Sequence, residues 1–493
     1  MKMVQRNHTI MQFFEWHVAA DGSHWKRLQE AAAELKEAGI DTVWVPPVTK
    51  AQSPEDNGYG VYDLYDLGEF DQKGGVATKY GTKDELISAI DACREQGINV
   101  YVDLVMNHKA GADEKERFQV VQVDEQDRNK EISKPFEIEG WTKFTFPGRG
   151  DTYSSFKWDY THFNGTDYDE AGKKTGIFRI VGDHKTWSDQ VDHEFGNYDY
   201  LMFANIDYNH PDVQKEMLAW GKWLAETLRC GGFRLDAIKH INHNFIKEFA
   251  SVMKKEFGED FYIVGEFWNP ELEVCRNFLD TVDYNIDLFD VSLHYKLQAA
   301  SEAGADFDLR TIFDDTLVQS HPLHAVTFVD NHDSQPQESL QSWVQDWFKQ
   351  SAYALILLRQ DGYPVVFYGD YYGIGGEQPI PGKKEAIDPL LYARQHKAYG
   401  QQDDYFDQPG LIGWVRRGVE ELPRSGCAVV ISNHEEGSKV MQVGAHRAGE
   451  VWLDLTNTRQ ERITIGEDGN AEFPVNGGSV SVWALPEQDV KAE

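Results

Sequence analysis

The chain has 493 residues, enough for roughly three domains or for one large barrel with additions. Its 48 lysines and arginines face 82 aspartates and glutamates, a formal charge of −34, so phosphate backbones and anionic lipid are repelled and the substrate is expected to be neutral or cationic. No apolar run approaches the roughly 20 residues of a membrane span, and an aromatic content of 13% belongs to a folded chain, which excludes a membrane protein and a disordered one.

In chain order, β-rich runs at 9–16, 41–47, 99–105, 232–236, 261–267, 288–293, 325–331 and 364–370 alternate with amphipathic helical patterns at 23–38, 83–96, 211–228, 242–257 and 346–359. Residues 1–8 enter the first run without the apolar core and cleavage site of a secretory leader, so the protein stays in the cytosol or a leader has been removed. Pro211 suits a first helical position, and Gly39 and Gly97 suit helix ends. Several of the strand runs are almost continuously apolar, as parallel strands covered on both faces are. Eight strand–helix units predict an α/β fold, a (β/α)8 TIM barrel.

The third unit is interrupted by about a hundred residues, too long for a loop, that are rich in aromatics, Gly and Asp. The predicted organisation is therefore a barrel over 1–108 and 210–397, an inserted irregular β-rich domain over 109–209, and a C-terminal domain over 398–493. The last reads as an antiparallel β-sandwich, with runs at 410–416, 427–433, 462–465 and 479–485 separated by turn signals. Cys93, Cys230, Cys275 and Cys427 match no zinc spacing and are expected as reduced thiols.

In such barrels the C-terminal strand ends face the active site. Here the third strand runs into Asp103-Leu104-Val105-Met106-Asn107-His108, the fourth into Arg234-Leu235-Asp236-Ala237-Ile238-Lys239-His240, the fifth into Gly265-Glu266-Phe267-Trp268 and the seventh into Asp330-Asn331-His332-Asp333. Asp236, Glu266 and Asp333 are thus expected at one mouth, near Arg234, Lys239, His108 and His332. Crowded like charges raise one another's pKa, so that one carboxyl holds a proton near neutral pH while another stays bare, which is what glycoside hydrolysis needs. Arg234, two positions before Asp236 on one strand face, is expected to keep that carboxylate ionised as nucleophile. Phe267 and Trp268 are expected to hold the proton on Glu266 as the acid. Trp16, Tyr59, Tyr62 and Trp268 offer flat apolar surfaces for sugar rings, suiting a neutral polysaccharide.

These four segments, in their order and spacing along the whole chain, resemble the signature regions of the α-amylase family of glycoside hydrolases (family 13). Asn57-Gly58-Tyr59-Gly60, Gly68-Glu69-Phe70-Asp71-Gln72-Lys73 and Asn197-Tyr198-Asp199-Tyr200-Leu201-Met202 resemble its bacterial liquefying group, and the missing leader resembles that group's cytoplasmic members. The resemblance implies Asp236 as nucleophile, Glu266 as general acid/base and Asp333 as the carboxylate that binds and distorts the sugar. It further implies that Arg234 orients the nucleophile, that His108 and His332 bind the reactive sugar with Tyr59 stacked beneath it, that Lys239 and His240 lie on the leaving-group side, and that Trp16, Trp268 and Gln335 touch substrate. The implied reaction is internal cleavage of α-1,4 bonds in starch, glycogen and maltooligosaccharides by a monomer, with no nucleic-acid or membrane partner. The same intermediate also admits transfer to another sugar, giving a transglycosylase or oligosaccharide-forming enzyme, and a barrel alone admits a non-catalytic binding protein.

The family's structural calcium implies ligands at Asn107, Asp199, Asn205 and the backbone carbonyl of His240, with Asp207 retained nearby. Where the secreted relatives carry aspartates for several metals, this chain has Asn164, Ser188, Asn205 and Asn209. Each lost carboxylate weakens calcium binding, so one firm Ca2+ site is expected.

Overall fold

The computed structural model describes residues 6–486, so the stretch Met1–Gln5, on which much of the leader reading rests, lies outside the described residues. Eight parallel strands close into a barrel: β1 (Ile10–Gln12), β2 (Thr42–Val45), β3 (Asn99–Leu104), β4 (Gly232–Leu235), β5 (Tyr262–Gly265), β6 (Asp287–Phe289), β7 (Ala325–Phe328) and β8 (Tyr363–Phe367). Each pairs with its neighbours in sequence, and β1 closes on β8 through Ile10 opposite Val365. Every residue of β1, β2, β4 and β7 is buried, as expected of strands covered by helices outside and by packed side chains within.

The helices form where periodicity and caps coincide. α1 (His24–Glu37) buries Trp25, Leu28, Ala32 and Leu35 at helical spacing. α2 (Lys83–Glu95) starts with a capping box between Thr82 and Glu85, α3 (Pro211–Leu228) with proline in its first turn, and α4 (His243–Phe257) with Asn242 accepting from the Asn244 and Phe245 amides. The run at 288–293 is not one strand: β6 stops at Phe289 because Asp290 caps the helix Val291–Ala303, its Oδ1 accepting from Leu293 N at 2.9 Å. The run at 364–370 likewise divides between β8 and a helical turn at Tyr368–Tyr371. The helices Leu272–Thr281 and Lys384–His396 lie outside the predicted helical patterns, the second with Pro389 inside it.

Between β3 and α3 the chain builds a six-stranded antiparallel sheet in the order His108–Lys109, Ala204–Ile206, Phe163–Asp169, Lys174–Ile180, Glu114–Val123, Phe136–Lys143. Its first strand continues directly from the mouth of the barrel. After Lys384–His396 come a six-stranded sheet that begins with Gln402–Gln408 and a two-stranded antiparallel sheet of Gly437–Gln442 with Asn470–Val475, sharing a core of Val430, Trp452, Phe473 and Trp483. The four cysteines are free and buried. No helix among the described residues is long and apolar enough to cross a membrane.

A buried ion pair docks the insertion on the barrel. Arg149 Nε donates to Asp63 Oδ2 at 2.8 Å, both side chains are fully buried, and Arg149 Nη1 donates to the Thr152 and Ser154 carbonyls at 2.6 and 2.8 Å. Truncating one partner strands the other charge. Arg149→Ala is therefore expected to destabilise the protein by about 3–5 kcal/mol in denaturant unfolding; a loss below about 1 kcal/mol would assign docking to apolar contacts instead.

Candidate active site

Parallel register puts Arg234 of β4 directly beside Asp103 of β3, both on the inner face of the barrel. Nη1 of Arg234 donates to Asp103 Oδ1 and Oδ2 at 2.8 and 3.0 Å and to Asp236 Oδ1 at 2.8 Å, while Nη2 donates to Glu266 Oε2 at 2.7 Å. One fully buried guanidinium thus serves three carboxylates. Asp103 also accepts from Trp44 Nε1 at 3.1 Å and the Tyr59 hydroxyl at 3.0 Å. In the sequence Asp103 stands out only as part of a strand end; its signal is an ionisable residue on an inward-facing position of an otherwise apolar strand. Glu266 further accepts from the Ala237 amide at 3.1 Å, and Gly265 before it leaves no room for a Cβ against Ile238.

This charge balance corrects two expectations. Arg234 does not by itself keep Asp236 ionised: burial, with the Glu266, Asp103 and Asp333 charges, outweighs the cation and holds the Asp236 carboxyl well above the usual carboxylate range. Burial and the Glu266 charge also raise Asp333 to about 8. Nor do the chain neighbours of Glu266 wall it off together, because Phe267 turns outward onto Phe278, with ring centroids 4.8 Å apart, and only Trp268 faces the cleft.

The cleft is a cavity of about 580 Å³ bordered by Asp236, Glu266 and Asp333 together with Trp16, Tyr59, His108, Lys239, His240 and Trp268. Trp16, Tyr59 and His332 form a near-parallel aromatic plate, with centroids 5.2–6.0 Å apart and planes within 12°. Burial lowers His108 to about 4 and His240 to about 3, so these imidazoles are neutral. His332, also lowered by burial, places Nε2 3.3 Å from Asp333 Oδ2 and bonds Gln12 through Nδ1. Three expected substrate contacts lie behind this surface, and His332 is one of them, fully buried under the Trp16 and Tyr59 rings and off the cavity border. Gln335 is fully buried, accepting from Trp16 N at 3.2 Å and donating to Glu15, and Arg234 is fully buried beneath the carboxylates. Both position cleft residues and do not border the cavity.

Where the inserted sheet leaves the barrel, Asp199 is buried and accepts from Ser188 N and Asn164 Nδ2, both at 2.7 Å, and from Asn205 Nδ2 at 3.2 Å. Asn107 Nδ2 lies 3.4 Å from Asn205 Oδ1. Among the described residues no lysine or arginine pairs with Asp199, and burial pushes its carboxyl to about 7. Asp207 does not join this group: its Oδ2 binds Lys185 Nζ at 2.6 Å, which removes it from the expected metal ligands. Among the described residues no group of three or more His, Cys, Asp or Glu side chains could hold a metal, because the cluster contributes one carboxylate and otherwise amides.

A family model described as the alpha amylase catalytic domain matches residues 25–405. The chain belongs to the α-amylase family. It is 51% identical to an α-amylase of Bacillus licheniformis over 97% of this chain and 93% of that protein. It is 50% identical to a glucan 1,4-alpha-maltohexaosidase of Bacillus sp. (strain 707) over 97% and 92%, and 44% identical to a cytoplasmic α-amylase of Escherichia coli (strain K12) over 98% and 99%. It is accordingly an enzyme, an α-amylase-type glycoside hydrolase, on the (β/α)8 barrel described above.

In this α-amylase family member Asp103, Asp236 and Asp333 are all raised, by burial first and, for Asp236 and Asp333, by the charge of the neighbouring carboxylates. Removing one like charge lets the others ionise at lower pH. Asp333→Asn is therefore expected to move the alkaline limb of kcat/KM to lower pH and to cut kcat by at least about a hundredfold; a limb that stays in place would contradict the shared-charge account.

Proposed function

We propose that the chain cleaves internal α-1,4-glucosidic bonds of starch, glycogen and maltooligosaccharides with retention at the anomeric carbon. Asp236 is the nucleophile, Glu266 the general acid/base, and Asp333 the carboxylate that holds the sugar hydroxyls. The supporting observation is that one planar guanidinium bonds both Asp236 and Glu266, at 2.8 and 2.7 Å. Sharing it keeps the two carboxyls close, which suits the roughly 5–5.5 Å of retaining enzymes better than the wider inverting separation.

The sugar lies on the exposed faces of Trp16 and Tyr59, which His332 backs from beneath. Glu266 gives its proton to the glycosidic oxygen while the Asp236 carboxylate attacks the anomeric carbon, breaking the C–O bond and forming a glycosyl ester. Water, deprotonated by Glu266, then releases the sugar and regenerates Asp236. Burial and neighbouring charges raise Asp236 and Asp333 above the usual carboxylate range, so the cluster as a whole retains protons near neutral pH, and the first step requires one of them on Glu266 with Asp236 bare once substrate is bound. The maltohexaosidase relative favours a narrower product range as the second reading. The cytoplasm is the proposed location, supported by the E. coli relative's name.

Glu266→Gln is expected to lower kcat on soluble starch at least about a thousandfold in a folded protein. Proton NMR of the first products of the wild type should show the α-anomer; an initial β-anomer would overturn retention.

A single calcium ion is proposed between barrel and insertion, held by Asn107, Asp199, Asn205 and the His240 carbonyl. Asp199 supports it, as a buried carboxylate among amide groups with, among the described residues, no lysine or arginine paired with it. When bound, the ion supplies structural charge compensation and takes no part in the bond-breaking steps. Calorimetric titration of chelator-treated protein should give one calcium per chain and a raised unfolding midpoint; two or more sites would refute the single-ion reading.

A further inference from the structure

The catalytic cavity has a neighbour. A second cavity of about 940 Å³ opens beyond its leaving-group wall, and Tyr198, Lys239, Trp268 and Leu340 border both. At this shared wall three segments meet on one ammonium. Lys239, just past β4, donates from Nζ to Glu194 Oε2 of the insertion at 2.9 Å and to the Trp268 carbonyl beyond β5 at 3.1 Å, and the same Nζ lies 4.8 Å from the centre of the Tyr198 ring.

The Glu194 side of the bridge is built rather than incidental. Glu194 opens a one-turn helix in which Phe195 adopts a left-handed φ of 53°, a conformation costly for a bulky residue. That turn is pinned by the Arg128 amide on the Phe195 carbonyl and the Asn129 amide group on the Gly196 carbonyl, both at 2.9 Å. The Glu194 amide donates to Asp192 Oδ1 at 2.7 Å. Held this way, the carboxylate points back at the barrel.

We propose that Glu194 is a specificity-determining positioning residue: its ion pair with Lys239 closes the neck between the two cavities and so limits how many sugar units are held on the leaving-group side. The occupant of the second cavity is the continuation of a neutral, hydroxyl-rich glucan. Asp192, Glu194, Asn269 and Glu271 offer acceptors for hydroxyl protons, and the rings of Trp268 and Tyr295 offer faces for pyranose C–H surfaces. An anionic chain would meet those carboxylates. The inference rests on the glucan-hydrolase reading above. The pair suits an adjustable neck, because the Glu194 side chain is 46% exposed while that of Lys239 is 11% exposed, so one half can leave for water while the other stays in the wall.

The test compares the wild type with Glu194→Gln, which removes the charge, and Glu194→Lys, which opposes Lys239 with a like charge. Each is given maltooctaose labelled at its reducing end, and maltotetraose as the short substrate. The labelled fragment should lengthen by one or more glucose units in both variants. The ratio of kcat/KM for the long over the short substrate should rise by up to about fivefold, the worth of a half-exposed ion pair, and further in Glu194→Lys than in Glu194→Gln. Unfolding midpoints should stay at the wild-type value, which separates this role from a merely structural one. Identical cleavage patterns and ratios in all three proteins would overturn the proposal while leaving the hydrolase reading intact. A wild type that cleaves neither substrate nor starch would overturn that reading itself.

Discussion

The guanidinium of Arg234 is the constraint on which the site depends. Burying a cation this deeply is unfavourable unless anions meet it with good geometry, and Asp103, Asp236 and Glu266 do so from three adjacent barrel strands or their ends. The relation holds in both directions. Without the cation the carboxyls could not be gathered so closely, and without the carboxyls the cation could not be buried. Because burial penalises the charged forms, and because positive charge falls short of negative, the group keeps a proton at pH values where an isolated carboxyl would have lost it. The acid–base character of the cleft is therefore a property of burial and of the count, one cation to four acids, more than of any single neighbour.

Much of this was legible in the sequence. The barrel strands announce themselves as apolar runs, and Asp236, Glu266 and Asp333 stand at their ends, where the fold exposes side chains to the mouth. What could not be read was sharing. Adjacency along the chain assigned Arg234 to Asp236 alone, whereas the parallel register also brings it to Asp103 and Glu266. Phe267 misled for a related reason, since neighbours along an extended chain point to opposite faces and the apolar ring beside Glu266 belongs to another layer. Strand ends were blurred where one polar side chain arrests the run, as Asp290 does by capping the next helix.

The insertion and the barrel form one working unit because their contacts fall around the cleft. Arg149 fastens the insertion to Asp63 in the hairpin of Lys50–Ala51 and Val61–Asp63 that follows β2, the Asn107–Asn205–Asp199 cluster joins it to the end of β3, and Glu194 reaches Lys239 beyond β4. Tyr59, lying in that same hairpin region, supplies part of the floor and at the same time bonds Asp103 beneath it. A shift of the insertion would thus be felt at the sugar, at the buried acids and at the leaving-group wall together.

The Lys185–Asp207 pair has a consequence for where such a protein can work. A bound ion stabilises a fold in proportion to the logarithm of its free concentration, so its grip fades when the surrounding fluid is depleted of it. An ammonium carried on the chain has no such dependence. By tying the end of the Ala204–Ile206 strand to the Thr161 carbonyl and Asp207 with its own side chain, the molecule has made one of its fastenings indifferent to mineral supply.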